Sequence, residues 1–110
     1  MISLSTHVLD TALGSPAAQV AITRCCVTGT QLFAGATDAD GRCKAFPELA
    51  LGQYRLSFAV GAYFAGKGVA MADPPFLDVV VIDFGVSGTH SHYHVPLLVS
   101  PYGYSTYRGS

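Results

Sequence analysis

Turn-forming clusters cut this chain into short alternating segments, and that punctuation points to packed β-sheets rather than helices. The breaks fall at Gly14-Ser15-Pro16, at Gly29, at Asp38-Ala39-Asp40-Gly41, at Pro74-Pro75 and across the Gly-Ser-rich stretch 85–91. Between them, residues 2–10 alternate, with Ile2, Leu4 and Val8 on one face and Ser3, Ser5 and His7 on the other. Strands are expected over 18–27, 30–36 and 52–59, the last with Tyr54, Leu56 and Phe58 on its apolar face. Residues 76–84 (FLDVVVIDF) are β-branched and aromatic and form the strongest strand by propensity. Residues 92–99 and 104–107 complete seven or eight strands, spaced as in an all-β sandwich. Pro96 suggests an edge or bulged position for its strand. One short helix is expected over 60–67, weakened by two glycines.

At 110 residues the chain holds a single domain spanning 1–110. Half of it is apolar and only 12% is charged, so a homo-oligomer that buries part of the surface is expected. A formal net charge of -1, with Lys and Arg scattered singly, argues against a nucleic-acid partner. No apolar stretch is long enough to span a membrane. Met1 leads directly into a strand with no apolar leader, and Cys25, Cys26 and Cys43 are odd in number without a CxxC spacing. Both features lead to the expectation of a cytoplasmic protein with reduced thiols.

The candidate chemistry lies in the stretch His92 to Ser110 (HYHVPLLVSPYGYSTYRGS), dense in Tyr, Ser, Arg and Gly where a chain end is ordinarily indifferent to sequence. Its hydroxyls, the Arg108 guanidinium and the carboxylate suit a small polar ligand. Taken singly, each candidate has an ordinary role. A histidine on a strand, such as His7, is more often structural than catalytic, and Arg42 after a turn usually pairs with a nearby Asp38 or Asp40 at small gain. Alternate His90, His92 and His94 could ligate zinc on one strand face, but His90 falls in the loop and no acidic partner is near, so no metal is expected. A serine hydrolase is disfavoured because no GxSxG turn occurs.

Three segments together carry a resemblance. LSTHVLDTALGSPA near the start, the TDADGR turn, and HYHVPLLVSPYGYSTYRGS at the end resemble the signatures of the transthyretin-related 5-hydroxyisourate hydrolases, in order along the whole chain. The resemblance implies a prealbumin-like β-sandwich with one short helix, assembled as a homotetramer (a dimer of dimers) whose sites lie in a channel. It implies cofactor-free hydrolysis of a cyclic amide in 5-hydroxyisourate, giving 2-oxo-4-hydroxy-4-carboxy-5-ureidoimidazoline in urate degradation. The family's catalytic set falls on His7, Arg42, His94 and Ser110, with His7, Arg42 and Tyr107 binding substrate and with His92 and Arg108 in support.

The residue types suit that task. An arginine fork can hold carbonyl oxygens or a developing oxyanion, and an imidazole can move a proton near neutral pH. Which of His7 and His94 is the base stays open in the sequence, with His94 favoured as the group that activates water. The alternative is a transthyretin-like carrier of a small hydrophobic ligand such as thyroid hormone, for which apolar channel walls would be wanted in place of His7, Arg42 and His94.

Overall fold

A computed structural model describes residues 2–26 and 29–109. Nine strands and one helix follow in chain order: β1 (Ser3–Asp10), β2 (Ser15–Pro16), β3 (Ala21–Cys26), β4 (Gln31–Ala36), β5 (Arg42–Cys43), β6 (Gly52–Phe58), α1 (Val60–Gly66), β7 (Val80–Val86), β8 (His92–Ser100) and β9 (Gly103–Thr106). They build two sheets. One runs β2-β1-β8-β9 with β5 also paired to β1, and the other runs β4-β3-β6-β7. All pairings are antiparallel except that of β1 with β8, which run parallel over the whole length of β1.

Alternation decides what each strand buries. Leu4, Thr6 and Val8 of β1 and Tyr93, Val95, Leu97 and Val99 of β8 point inward. They meet Ile22, Leu56, Phe58, Val80 and Ile82 of the facing sheet, with Val60 and Phe64 of α1 completing the core. Thr6 is the polar member of that inner row, and its hydroxyl donates to the Val95 carbonyl, so burial leaves it satisfied. Asp10, 1% exposed, is held the same way. Its carboxylate accepts from the Ala12 and Leu13 amides at 2.9 and 2.8 Å and from the Tyr63 hydroxyl at 2.7 Å, which fastens α1 to the end of β1.

The sandwich, the single short helix and most strand positions match the reading of the sequence. The differences have local causes. Residues 76–79 are not strand, because β6 ends at Phe58 opposite Val80 and α1 begins two residues later, leaving nothing for them to pair with. The Asp78 carbonyl instead accepts from the Gly61 amide at 2.8 Å, and a side chain at Gly61 would collide with Asp78. A glycine that weakens the helix is thus what lets this segment approach it. Residues 18–20 precede β3 rather than belonging to it, and position 27, the expected end of that strand, lies outside the described residues. Two-residue strands β2 and β5 arise where only turns were expected; both pair along the free side of β1.

Pro96 stands in an interior strand, between β1 and β9, not at an edge. Continuing the β8–β9 register would set it opposite Tyr107, just past the end of β9, and there the ladder lapses: pairing runs from Leu97↔Thr106 onward and resumes as a bridge between His94 and Gly109. The missing donor of Pro96 faces that gap, while its carbonyl accepts from the Thr106 hydroxyl at 2.7 Å. Proline is tolerated centrally because the tail has left the ladder opposite it.

Candidate active site

Strand register alone assembles the candidate residues. Along the β1–β8 pair, Ser3 lies beside His92, Ser5 beside His94 and His7 beside Pro96. Across the β1–β5 pair, His7 lies opposite Arg42. Since Leu4, Thr6 and Val8 face the core, Ser3, Ser5, His7, His92, His94 and Arg42 share the outer face of the five-stranded sheet. Residues distant in sequence therefore form one polar patch, with His7, Arg42 and His94 half-buried and His92 exposed.

The turn that delivers Arg42 is tightly built. Gly41 adopts φ +74°, and a Cβ there would run into the Val8 carbonyl, so only glycine lets the turn close against β1. The Val8 amide donates to the Gly41 carbonyl at 2.7 Å. The Asp38 carboxylate accepts from the backbone amides of Asp40 (2.9 Å) and Arg42 (3.0 Å), and these bonds, the one from Arg42 foremost, hold its pKa below the ordinary carboxylate value. Asp38 thus serves the backbone of Arg42, not its guanidinium. Among the described residues the guanidinium has no ion pair, which leaves its fork of donors available.

The histidines differ in their partners. His7 Nε2–H donates to the Asp40 carbonyl at 2.9 Å, so Nδ1 keeps its lone pair for another group. His94 Nδ1 lies 2.7 Å from the Ser5 hydroxyl, which also lies 2.9 Å from His92 Nε2, while His92 Nδ1 meets the Ser3 hydroxyl. Burial, followed by the charge of Arg42 and the nearness of the His92 and His7 imidazoles, pushes the His94 pKa below the usual imidazole value. His94 is neutral at neutral pH, with Nε2 free of any partner among the described residues.

The tail closes on His94 through Gly109, whose amide donates to the His94 carbonyl at 2.8 Å. A Cβ on Gly109 would lie 2.6 Å from the ring carbon Cδ2 of His94, so the glycine of YRGS is required by contact with the imidazole. Tyr107 is not gathered onto the patch. It lines a cleft of about 250 Å³ at the open edge between the sheets with Ile82, Phe84, Tyr93, Val95 and Arg108. Arg108 also borders a second cleft, about 270 Å³, with His90, His92 and Gly109. Ser110 lies outside the described residues. Sequence reasoning missed Ser3, Ser5 and Gly109 as site residues. The first two were visible as the polar partners of His7 in the alternation of β1; nothing in the sequence marked Gly109 apart from the motif around it.

Residues 4–109 match the family described as HIUase/Transthyretin family. The 5-hydroxyisourate hydrolase of Caulobacter vibrioides is 56% identical over the full length of both chains. The structure of Klebsiella pneumoniae 5-hydroxyisourate hydrolase superposes with a TM-score of 0.86 at 37% identity, covering 100% of each chain. A crystal structure of (S)-allantoin synthase superposes with a TM-score of 0.92 at 40% identity over 99% of this chain, which spans 44% of that longer protein. The sandwich, the outer polar patch and these likenesses agree: the chain belongs to the HIUase/Transthyretin family.

Proposed function

We propose that this protein hydrolyses 5-hydroxyisourate to 2-oxo-4-hydroxy-4-carboxy-5-ureidoimidazoline, a reading supported by relatives named 5-hydroxyisourate hydrolase that match it nearly end to end. The observation that carries the mechanism is the half-buried His94 imidazole, kept neutral by burial and by Arg42, with its Nε2 unengaged among the described residues. Nε2 takes a proton from water as the water oxygen adds to a cyclic amide carbonyl. Arg42 stabilises the oxyanion that forms, and collapse of the tetrahedral adduct breaks the ring C–N bond as the imidazolium returns its proton to the leaving nitrogen. His7 Nδ1 accepts a substrate N–H. Tyr107, in the cleft that it lines with Arg108, and Ser110 act in binding substrate. A positioned base contributes on the order of 10²- to 10⁴-fold, enough for a substrate already prone to hydrolyse.

The same reading includes a homotetramer in the cytoplasm. It is supported by the outer edges of β7 and β9, unpaired among the described residues, and by the exposure of Phe76, Val79, Val81, Tyr102 and Tyr104 on a charge-poor chain. Among the described residues no helix is long and apolar enough to cross a membrane. A hormone-carrying role fits the site less well, because a cluster of two half-buried histidines and an arginine without an ion pair among the described residues suits a polar, proton-exchanging substrate.

The test is the ultraviolet decay of 5-hydroxyisourate, generated in place from urate and urate oxidase. Native protein should accelerate the decay and the His94→Ala variant should not. No acceleration by folded native protein would refute the assignment.

A further inference from the structure

The chain of hydrogen bonds beneath His94 has a direction, and its far end sets it. Ser3 Oγ donates to the Ser91 carbonyl at 3.4 Å, and a carbonyl oxygen can only accept. A hydroxyl has one proton, so Ser3 Oγ must then accept from His92 Nδ1–H. A neutral imidazole carries one N–H, which leaves His92 Nε2 bare and able only to accept, and its partner is the Ser5 hydroxyl at 2.9 Å. With its proton committed to His92, Ser5 Oγ must accept from His94 Nδ1–H at 2.7 Å. The last nitrogen, His94 Nε2, is thereby left with its lone pair exposed.

We propose that Ser5 is a positioning residue for hydrolysis, and that with His92 and Ser3 it locks His94 in the tautomer whose Nε2 can take a proton from water. The inference rests on the hydrolase reading and deepens it. Ser5 is 8% exposed and is the register partner of His94 on the neighbouring parallel strand, so its hydroxyl is held against the two rings rather than turned to water. His92 acts through Ser5. Its exposed ring need not touch substrate to matter, because it is the acceptor that keeps the Ser5 proton pointing away from His94. The lock also explains why two histidines and two serines alternate in step on paired strands: the Ser5 hydroxyl sits between two ring nitrogens and the Ser3 hydroxyl between a ring nitrogen and the Ser91 carbonyl, and removing one link frees every link above it. No covalent step is added. When Nε2 takes its proton, Nδ1–H goes on donating to Ser5, which is the arrangement the imidazolium requires.

The test reads the tautomer and the turnover separately. Nitrogen chemical shifts of the His94 ring, in isotopically labelled native protein above the pH of its titration, should show a protonated Nδ1 and a bare Nε2. Ser5→Ala should give a mixture of the two forms and lower kcat by on the order of ten- to a hundredfold with KM little changed. That loss is smaller than the roughly 10⁴-fold seen when a catalytic histidine is held in the wrong tautomer outright. Ser5→Thr, which keeps the hydroxyl, should restore both the tautomer and the rate. A native His94 protonated at Nε2 would overturn the proposal without any variant, and so would a Ser5→Ala protein with native tautomer and native kcat. Native protein with the expected tautomer but no hydrolysis of 5-hydroxyisourate would refute the hydrolase reading instead, and with it the catalytic purpose of the lock.

Discussion

Arg42→Ala separates the electrostatic role of the guanidinium from its place in the fold. The anchors of the turn are backbone groups: the Arg42 amide to Asp38, the Gly41 carbonyl to the Val8 amide, and the β5 pairing of residue 42 with His7. Alanine keeps all of them, and no ion pair is lost among the described residues, so the melting temperature should stay within a degree or two of native. Turnover should not. A charge about 4 Å from a developing oxyanion, at an effective dielectric near 20, is worth about 4 kcal/mol, which corresponds to roughly 10³-fold in rate. Removal of a single oxyanion donor in other enzymes costs about 2.7–4 kcal/mol, so a loss of 10²- to 10³-fold in kcat is expected. A second effect has a fixed sign. Arg42 is, after burial, the foremost cause holding the His94 pKa down, so the alanine variant should raise that pKa and move the acid limb of kcat/KM to higher pH. Arg42→Lys keeps the charge but not the fork, and should hold the limb in place while recovering only part of kcat. The assay is the decay of 5-hydroxyisourate across pH 5 to 8, beside thermal melts of each protein. Native turnover in Arg42→Ala, or an acid limb that does not move, would refute the reasoning.

Gly109→Ala should drive the tail off His94, since its Cβ would overlap the ring; kcat should fall well over tenfold while the melting temperature hardly changes, and native kinetics would show that the tail does not rest on the imidazole. Tyr63→Phe removes the hydroxyl that donates to buried Asp10 and should cost about 1–3 kcal/mol in denaturant titration at neutral pH. The same tyrosine sets an alkaline limit, because burial and then the bond to Asp10 push its pKa up to about 12 from 10 in the unfolded chain. The raised folded value means that its contribution is whole below pH 10 and disappears as pH rises toward 12, a slope that Tyr63→Phe should lack. Phe58→Ala, which empties a fully buried position between the sheets, should cost about 3–5 kcal/mol by the same titration.

The sequence was most legible where one physical rule acts alone. Period-2 alternation placed Ile2, Leu4 and Val8 opposite Ser3, Ser5 and His7, and the structure keeps that division. The start of β7 was misplaced because propensity favours strand at Phe76 to Val79, whereas strand requires a partner and β6 ends opposite Val80. Pro96 misled for a related reason: its missing donor excludes it only from positions where the neighbour is paired, and the tail is unpaired there. Arg42 and His7 were both visible as candidates, yet their juxtaposition depends on a two-residue strand, too short to leave a pattern of its own. The Ser5 hydroxyl between His92 and His94 was hidden for another reason. It follows from a parallel pairing between the first and the eighth strand, and nothing local in either segment names its partner.

That parallel pairing also explains why the site is secure on so small a scaffold. A one-residue slip of β8 against β1 would place Tyr93, Val95, Leu97 and Val99 on the outer face and turn His92, His94 and Ser100 toward the core. Each of the four inward side chains gives roughly 1.5–3 kcal/mol on burial, and each imidazole forced inward would lose its hydroxyl partner. The Thr6 hydroxyl bonded to the Val95 carbonyl marks the same register from inside the core, as Ser5 and His94 mark it from outside. Packing on one face of these two strands therefore sets the geometry on the other. Substitutions that loosen the inner row, such as Leu97→Ala, should disturb the positions of His94 and Ser5 and depress kcat before the protein unfolds. A Leu97→Ala protein that is clearly less stable yet has native kcat and a native His94 tautomer would show that the outer face holds its register by its own hydrogen bonds.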